Sequence, residues 1–258
     1  MRRLRHIRVI AGNELHLMAR DPTPVMVLVV FPIITIAFLS PALKPAVVAS
    51  GYPHANGAEF VVPGQATMSA FYIVSLVTFA FFSEHAWATW ERLRASQAGA
   101  GAILLGKALP RVALGILQLV LILGAGVVLF DMRSRGDLVA LLPLIVSFSL
   151  CLVMLGVAAA ALCKTAQQAN AVGYVGLVLF GALGGAFVPY QFLPAWARSV
   201  SPVTPTYWAM RGMRSVILDG HGLGATTEPC AVLLGMTLLL GLVAARSLRF
   251  DEAKTGWM

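Results

Sequence analysis

The chain has 258 residues, of which 59% are hydrophobic and 12% charged, and its formal net charge is +8. Its mean hydropathy of +0.82 excludes an ordinary soluble domain, because such domains interrupt their apolar stretches with charged surface. Apolar runs long enough to cross a bilayer as helices recur about six times, which predicts one all-α membrane domain over residues 1–258.

The basic residues lie scattered at the ends of the apolar runs, where they set topology more often than they bind nucleic acid. We therefore expect no nucleic-acid partner. The three cysteines have no paired spacing, and the histidines are dispersed among predicted loops on both sides of the membrane. Neither a disulfide framework nor a metal site is indicated.

Residues 1–22 are predicted to hold an interfacial elbow helix that lies on the anionic leaflet. A basic tail that only fixes orientation is the alternative. One face of the helix is apolar and the other is basic. The apolar stripe is Leu4, Ile7, Ala11, Leu15 and Met18, and the basic face is Arg2, Arg5, Arg8, His16 and Arg20.

Six membrane spans are predicted from the apolar runs, with a kink at Pro32 in the first and a polar outer loop over residues 44–60. The connections 131–137 and 163–168 are short, so the third, fourth and fifth spans should be sequential neighbours. The predicted spans are 25–43, 61–82, 108–130, 138–162, 169–188 and 231–248.

Residues 189–228 are neither clearly soluble nor clearly spanning, and their aromatic, proline and arginine content suits short helices embedded at the membrane interface. The belt residues expected at that depth are Tyr190, Trp196, Tyr207 and Trp208.

The distribution of Lys and Arg predicts the orientation. With the N-terminus inside, thirteen of these residues fall in inner segments and six in outer ones. The positive-inside rule then favours a cytoplasmic location for both termini.

Residues 85–107 form the longest polar interruption on the predicted inner side, expected as an amphipathic helix followed by a small-residue loop. Trp87, Trp90 and Leu93 recur every three residues and can lie in the interface. The other face can then dock a soluble partner, or it is simply solvated; the periodicity alone leaves both open. That face carries Glu91, Arg92, Arg94 and Gln97.

Residues 101–107 match the start of a phosphate-binding loop, with Gly101, Gly106 and Lys107 at the required spacing. The match fails at Ala108, where the magnesium-binding Ser or Thr should stand, and a membrane span follows in place of a strand–loop–helix unit. A flexible loop is therefore favoured over a nucleotide site, and the chain is predicted not to hydrolyse ATP itself.

Uncharged polar residues within the spans are expected to make interhelical hydrogen bonds. A substrate path is the alternative for Gln65, Gln118 and Asn170. Glu59 and Glu84 lie at span ends within reach of water, and the absence of an acidic residue near the midplane speaks against a proton-driven antiporter.

Gly181 and Gly185 have the spacing of a close helix contact, either within the monomer or across a dimer.

Two stretches together resemble type-2 ATP-binding cassette exporter permeases. Residues 60–109 have a Pro-Gly pair at the entry to the second span, then Glu-Arg-Leu-Arg-Ala-Ser and Leu-Leu-Gly-Lys. Residues 184–222 have the expected rhythm of Pro189, Pro194, Trp196, Pro202, Pro205 and Tyr207. The chain departs from the family at Ala88-Thr89, where many members have Gly-Thr, so the local geometry there is less closely matched.

The resemblance implies six spans, an interfacial elbow helix, a cytoplasmic coupling helix within residues 85–106 and re-entrant helices within residues 189–228. Trp90, Glu91, Arg92, Arg94 and Gln97 would then couple to a partner ATPase. Pro189, Pro194, Trp196 and Tyr207 would shape the outer re-entrant region.

Two permeases, identical or related, would assemble with two ATPase subunits. The complex would lie in a bacterial-type inner membrane, where membrane lipids are also expected partners. No cofactor is expected in this chain, because ATP and magnesium would bind the partner. Short outer loops favour a hydrophobic drug or lipid as substrate, with a glycan precursor as a further option. A secondary transporter and a non-transporting assembly subunit are the alternatives.

Overall fold

The computed structural model describes residues 2–21, 23–86 and 100–247, and these residues form helices and no strands. A single helical turn, Thr23–Val25, and a π-helical segment, Met26–Val30, lead into the first long membrane helix. The α-helices are α1 Arg2–Arg20, α2 Phe31–Ala49, α3 Ala58–Ala70, α4 Tyr72–Ala86, α5 Ala100–Phe130, α6 Leu142–Leu162, α7 Ala166–Leu183, α8 Ala195–Val200, α9 Pro205–Ile217 and α10 Thr227–Ser247.

Five helical segments in the described residues are long and apolar enough to cross a membrane: Met26–Ala49, Ala58–Ser83, Gly101–Phe130, Leu138–Leu162 and Leu223–Ser247. They agree with five of the six predicted spans. The remaining prediction, over 169–188, corresponds to α7, whose hydropathy is lowered by Gln167, Gln168 and Asn170 in its first turns. The chain is therefore a multi-pass membrane protein.

Helix α6 lies at the centre of the bundle and packs against α4, α5, α7, α9 and α10, while α2 packs against α3. Its contacts with α5 and α7 agree with the prediction that the third, fourth and fifth spans are neighbours. The second span is broken at Phe71, between α3 and α4, and most of α3 is buried.

The first span is longer than predicted. It begins with the π-helical segment Met26–Val30. Pro32 is the second residue of α2, where its missing N–H cannot bond to the carbonyl of Leu28. The helix then continues through Pro41 and Pro45 to Ala49. Val47 is buried in the core, so packing holds these last turns, and the predicted outer loop over 44–60 is reduced to residues 50–57.

The predicted interface region between α7 and α10 consists of short 3₁₀ turns, α8 and α9. Helix α9 starts with the Thr204 side chain accepting a hydrogen bond from the Tyr207 N–H and with Pro205 in the first turn. Its residues Ala209, Met213 and Val216 are fully buried. One face of α9 therefore belongs to the core of the bundle.

The bundle has two distinct ends. Loops 50–57, 131–137 and 184–226 meet at one of them, which we call the loop end: the Arg135 N–H donates to the Ile217 carbonyl at 2.9 Å, and the Asn56 amide donates to the Phe130 carbonyl at 3.0 Å. The other, which we call the α1 end, holds α1, the C-terminal end of α4 and the N-terminal half of α5.

Candidate functional site

A buried ion cluster joins three helices at the α1 end. The Glu14 carboxylate of α1 accepts a hydrogen bond from the Lys107 Nζ at 2.8 Å and another from the Arg111 Nη2, also at 2.8 Å. Lys107 and Arg111 belong to α5. All three residues are at most 6% exposed. We call these three residues the Glu14 cluster.

The same two cations also bind α4. Lys107 Nζ donates to the Ala80 carbonyl at 3.1 Å, and Arg111 Nε donates to the Leu76 carbonyl at 3.1 Å. Arg111 Nη1 donates in addition to the carbonyl of Lys107. One carboxylate therefore links α1 to both helices that flank residues 87–99.

Glu14 is ionised at neutral pH. Burial raises the pKa of its carboxyl, but the charges of Arg111 and Lys107 and the hydrogen bonds that they donate outweigh burial, so the pKa lies below its ordinary value. A buried carboxylate held in this way is strongly bound to its cations, and removing Glu14 takes the acceptor of these two hydrogen bonds away from two buried cations.

Close approach of α1 to α5 depends on Gly106. A Cβ placed on Gly106 would lie 2.7 Å from the Cβ of Ile10, closer than real contacts allow. Lys107 and Arg111 stand four residues apart, so they lie on one face of α5 beside this contact. The sequence of α5 thus provides both the space for α1 and the charges that hold it.

The predicted apolar stripe of α1 is only partly the contact face. Ile7, Ala11 and Met18 are half-buried, whereas Leu4 is 73% and Leu15 is 51% exposed. The face of α1 that contacts α5 is centred on Glu14 and not on the whole apolar stripe. Glu14 lies three residues after Ala11 and four before Met18. Leu4 and Leu15 continue the stripe beside the contact.

The predicted flexible loop over residues 101–107 is wrong, because α5 begins at Ala100 and these residues are helical. A phosphate-binding loop needs backbone N–H groups free to cradle phosphate, whereas here they lie within a helix. The Lys107 side chain is paired with Glu14. The near-match to a nucleotide motif therefore contributes to an ion cluster.

The predicted coupling residues Trp90, Glu91, Arg92, Arg94 and Gln97 lie outside the described residues. The structure places the ends of α4 and α5 on either side of them, at Ala86 and Ala100. Their coupling role stays a prediction.

The three candidate substrate-path residues lie on three different helices, α3, α5 and α7. Gln118 is buried, and its amide donates to Ser69 Oγ at 2.8 Å and to the Ala66 carbonyl at 3.2 Å. Asn170 of α7 accepts from Thr78 of α4 at 3.4 Å, and Gln65 is buried in α3. For Gln118 and Asn170 these are the interhelical bonds expected by default, and the path itself stays a prediction.

The prediction that Glu59 lies within reach of water is wrong. Glu59 lies at the loop end and is only 3% exposed. Its carboxylate accepts from the backbone N–H groups of Asn56 at 3.0 Å, Gly57 at 3.2 Å and Arg133 at 3.4 Å. It thereby satisfies amide groups around the start of α3, which explains why a carboxylate can be buried there.

The predicted outer residues Pro189, Pro194, Trp196 and Tyr207 all lie at the loop end. Pro189 and Pro194 directly precede the 3₁₀ turn Tyr190–Phe192 and α8, and Trp196 is 68% exposed. The ring of Tyr207 lies 5.4 Å from that of Tyr190.

The glycines around the Gly181–Gly185 spacing make contacts inside the chain. A Cβ on Gly184 would lie 2.5 Å from the Cβ of Thr206, and one on Gly173 would lie 2.9 Å from Ser75 Oγ. Gly185 itself has a φ of +78°, at the turn that follows α7. These contacts support close approach within the monomer.

The chain is similar in sequence to proteins named as permeases. It is 27% identical over 161 residues to the linearmycin resistance permease protein LnrN of Bacillus subtilis (strain 168), which covers 61% of this chain and 42% of the relative. It is also 27% identical over 154 residues to the "Probable multidrug ABC transporter permease YbhR" of Escherichia coli (strain K12), covering 59% and 42%. The matches thus span less than half the length of these curated relatives.

A family match covers most of the chain itself. Residues 5–218 match the family described as ABC-2 type transporter. The matched range includes α1 from Arg5 onward, the Glu14 cluster, and α8 and α9 at the loop end. The chain therefore belongs to the ABC-2 type transporter family.

Proposed function

We propose that this chain is the transmembrane subunit of an ATP-driven exporter of hydrophobic drugs or lipids. It would work as a pair of permeases with separate ATP-binding subunits. The observation that carries the proposal is the Glu14 cluster, which ties α1 to α4 and α5 at the base of the predicted coupling segment. The names of the relatives, a linearmycin resistance permease and a multidrug permease, support a drug-like or lipid-like substrate.

The cluster supports a mechanical route from the partner into the membrane. A push on the segment between Ala86 and Ala100 reaches α4 and α5 together, because Lys107 and Arg111 bind carbonyls of α4. Glu14 adds α1 to the same body. The three helices would therefore move as one unit when the ATPase subunits close.

Six spans with both termini in the cytoplasm are part of the proposal. Helix α7 starts beside the end of α6 and ends at Leu183, and the next residue, Gly184, lines a cavity with residues of the loop end. It thus runs the length of the bundle despite its polar first turns. Its exposed Val172, Val175, Val178 and Leu179 suit contact with lipid or with a second permease.

The substrate path is proposed at the interface between the two permeases, where Gln65, Gln118 and Asn170 are the candidate polar contacts. Exposed apolar residues on α2, α5 and α10 leave ample surface for such an interface. ATP and magnesium would bind the partner subunits.

The test is transport by the chain together with the ATPase from an adjacent reading frame, reconstituted in vesicles. Replacing Glu91 and Arg94 together by alanine should reduce substrate-stimulated ATP hydrolysis to the basal rate, with membrane insertion unchanged. Replacing the pair Arg211 and Glu228 at the loop end removes the same charges and should leave coupling intact.

Each other outcome selects another function. Normal efflux by the Glu91 and Arg94 double variant contradicts the coupling role. Transport driven by an ion gradient without any ATPase identifies a secondary transporter. Copurification with an ATPase whose rate never responds to substrate identifies an assembly subunit.

A further inference from the structure

A cavity of about 360 Å³ opens at the loop end, away from the Glu14 cluster and the predicted coupling segment. Its walls come from the end of α2, the loop after it, the start of α3, the turn after α7 and one face of α9. The volume lies at the lower end of the range for small-molecule sites in proteins. It is therefore large enough for part of one amphiphile.

The walls of the cavity are apolar and aromatic. Tyr190 and Tyr207 pack against each other with their ring centres 5.4 Å apart. Phe60, Met210 and Leu218 line other parts of the wall. Such a surface favours an alkyl chain or a ring system over a fully hydrated solute.

One corner of the cavity is polar and is built around Arg214. Its Nε donates to the Tyr52 hydroxyl at 3.1 Å, and the Tyr52 hydroxyl donates to Asp219. Burial, together with the hydrogen bond to Asp219, raises the pKa of Tyr52, so its hydroxyl stays neutral and keeps donating. Asp219 lies 4.0 Å from Arg214 Nε.

The terminal nitrogens of Arg214 donate no hydrogen bond to any residue in the part of the chain that the structure describes. A guanidinium carries five N–H donors, and Nε uses only one of them here. Arg211, one turn earlier on α9, also lines the cavity, but both of its terminal nitrogens bind Glu228, at 3.2 and 2.8 Å. Arg214 is thus held in place by Tyr52 while its fork remains available.

We propose that this cavity binds the anionic headgroup of an amphiphile, a carboxylate or a phosphate, with Arg214 as the anchoring residue. A planar guanidinium binds such groups through two parallel hydrogen bonds. The alkyl part would lie along the aromatic and aliphatic walls. Binding needs no ATPase, so the proposal stands apart from the proposed export function.

The test is binding to the purified full-length chain in nanodiscs of phosphatidylcholine. The probes are a dansyl-labelled fatty acid, a matching alkyl phosphate and the neutral methyl ester of the fatty acid. Arg214→Gln should weaken binding of both anionic probes about tenfold or more, since a charge-assisted bidentate contact is lost, and leave the ester almost unchanged. The matched control Arg211→Gln should change anion binding about threefold at most, because the terminal nitrogens of Arg211 are already bound to Glu228.

Two results overturn the proposal: equal affinity for the acid and the ester, or an equal loss in both arginine variants, which indicates general charge attraction. A second variant protects the test should Arg214→Gln fail to fold. Ser50→Phe narrows the cavity and leaves Arg214 in place, so it should weaken the binding of all three probes. Unchanged binding in Ser50→Phe contradicts the site.

The source of the amphiphile is distinguished by native mass spectrometry of the chain isolated from membranes. An anionic lipid that copurifies with the parent chain and is lost in Arg214→Gln identifies a membrane lipid as the ligand. Binding of the added probes without any copurified lipid shows that the site takes anionic amphiphiles and that a membrane lipid is not its resident ligand.

Discussion

The Glu14 carboxylate determines how α1 sits on the membrane helices. It is buried with two cations whose side chains also reach α4. A group of this kind contributes little when it is compared with an apolar replacement of the whole cluster, but it costs much when one member alone is removed. Single substitutions are therefore informative here.

Replacing Glu14 by Gln should lower the stability of the chain by about 3–5 kcal/mol, because the buried Lys107 and Arg111 lose the charge-assisted hydrogen bonds that they donate to Glu14. The measurement is the midpoint of thermal unfolding in detergent, followed by size-exclusion chromatography after heating. The matched control is Glu228→Gln, which breaks an ion pair whose side chains are 59% and 45% exposed. Such an exposed pair is worth about 1 kcal/mol or less.

The pH dependence gives a second control for the same substitution. Because the pKa of Glu14 is lower in the folded chain than its ordinary value of 4.5, its stabilisation is fully present above that value and is lost as pH falls through the folded pKa. The gap between the parent chain and Glu14→Gln should therefore be constant from neutral pH to about pH 5.5 and shrink only in stronger acid. A gap that closes near neutral pH would show that Glu14 is not held as an ion.

The sequence contains a signal for this cluster that the apolar pattern of α1 obscures. Glu14 stands on the apolar stripe, between Ala11 and Met18, and Lys107 and Arg111 are four residues apart on an otherwise apolar helix. The single acidic residue on the apolar face of α1 has the opposite charge to the two basic residues on one face of α5, so the two faces can pair. What the sequence cannot supply is their pairing across 93 positions, since only the packing of α1 on α5 brings them together.

At the scale of elements, composition predicts the spans well and their ends less well. Leu138–Leu162 has the predicted limits, while α5 begins eight residues before the predicted start of its span. The stretch before Lys107 is rich in Gly and Ala and resembles a loop. Tertiary packing decides otherwise, because Ala102 and Ile103 are buried and α1 covers Gly106. The aromatic and proline pattern of 189–228 correctly predicts short helices, but not that one face of α9 is core.

Gly106→Ala should detach α1 from α5, since the new Cβ would meet the side chain of Ile10. We expect amide hydrogen exchange across residues 2–20 to increase by about tenfold or more. The control is Gly101→Ala on the same helix, where no atom lies within 4 Å of the added Cβ. There the alanine should leave α1 unchanged and favour the helix by up to about 1 kcal/mol. Equal exchange in both variants would contradict the docking role of Gly106.

At the scale of the whole molecule, the described part of the chain has a group of charged side chains at each end of the bundle and apolar side chains on its outer surface. The Glu14 cluster occupies one end and the Arg214 cavity the other, with the apolar core between them. Leu234, Leu238 and Leu242 of α10 are exposed, as lipid contact requires. A signal received at the α1 end would have to cross this core through rigid helices, and α5, with 31 residues, is the longest of them.

The role of α7 decides the topology of the whole chain. Its polar first turns lower its hydropathy, yet the packing carries it from the end of α6 to the loop end, so we expect it to cross the bilayer. In a chain freed of its own cysteines, Arg133→Cys and Arg198→Cys should then react with an impermeant maleimide in intact cells. Lys164→Cys and Arg246→Cys should react only after permeabilisation. All four positions are exposed in the chain, so access to them is limited by the membrane alone. Labelling of positions 164 and 198 from the same side would show that α7 does not span, and α10 would then carry the C-terminal end to the side opposite α1.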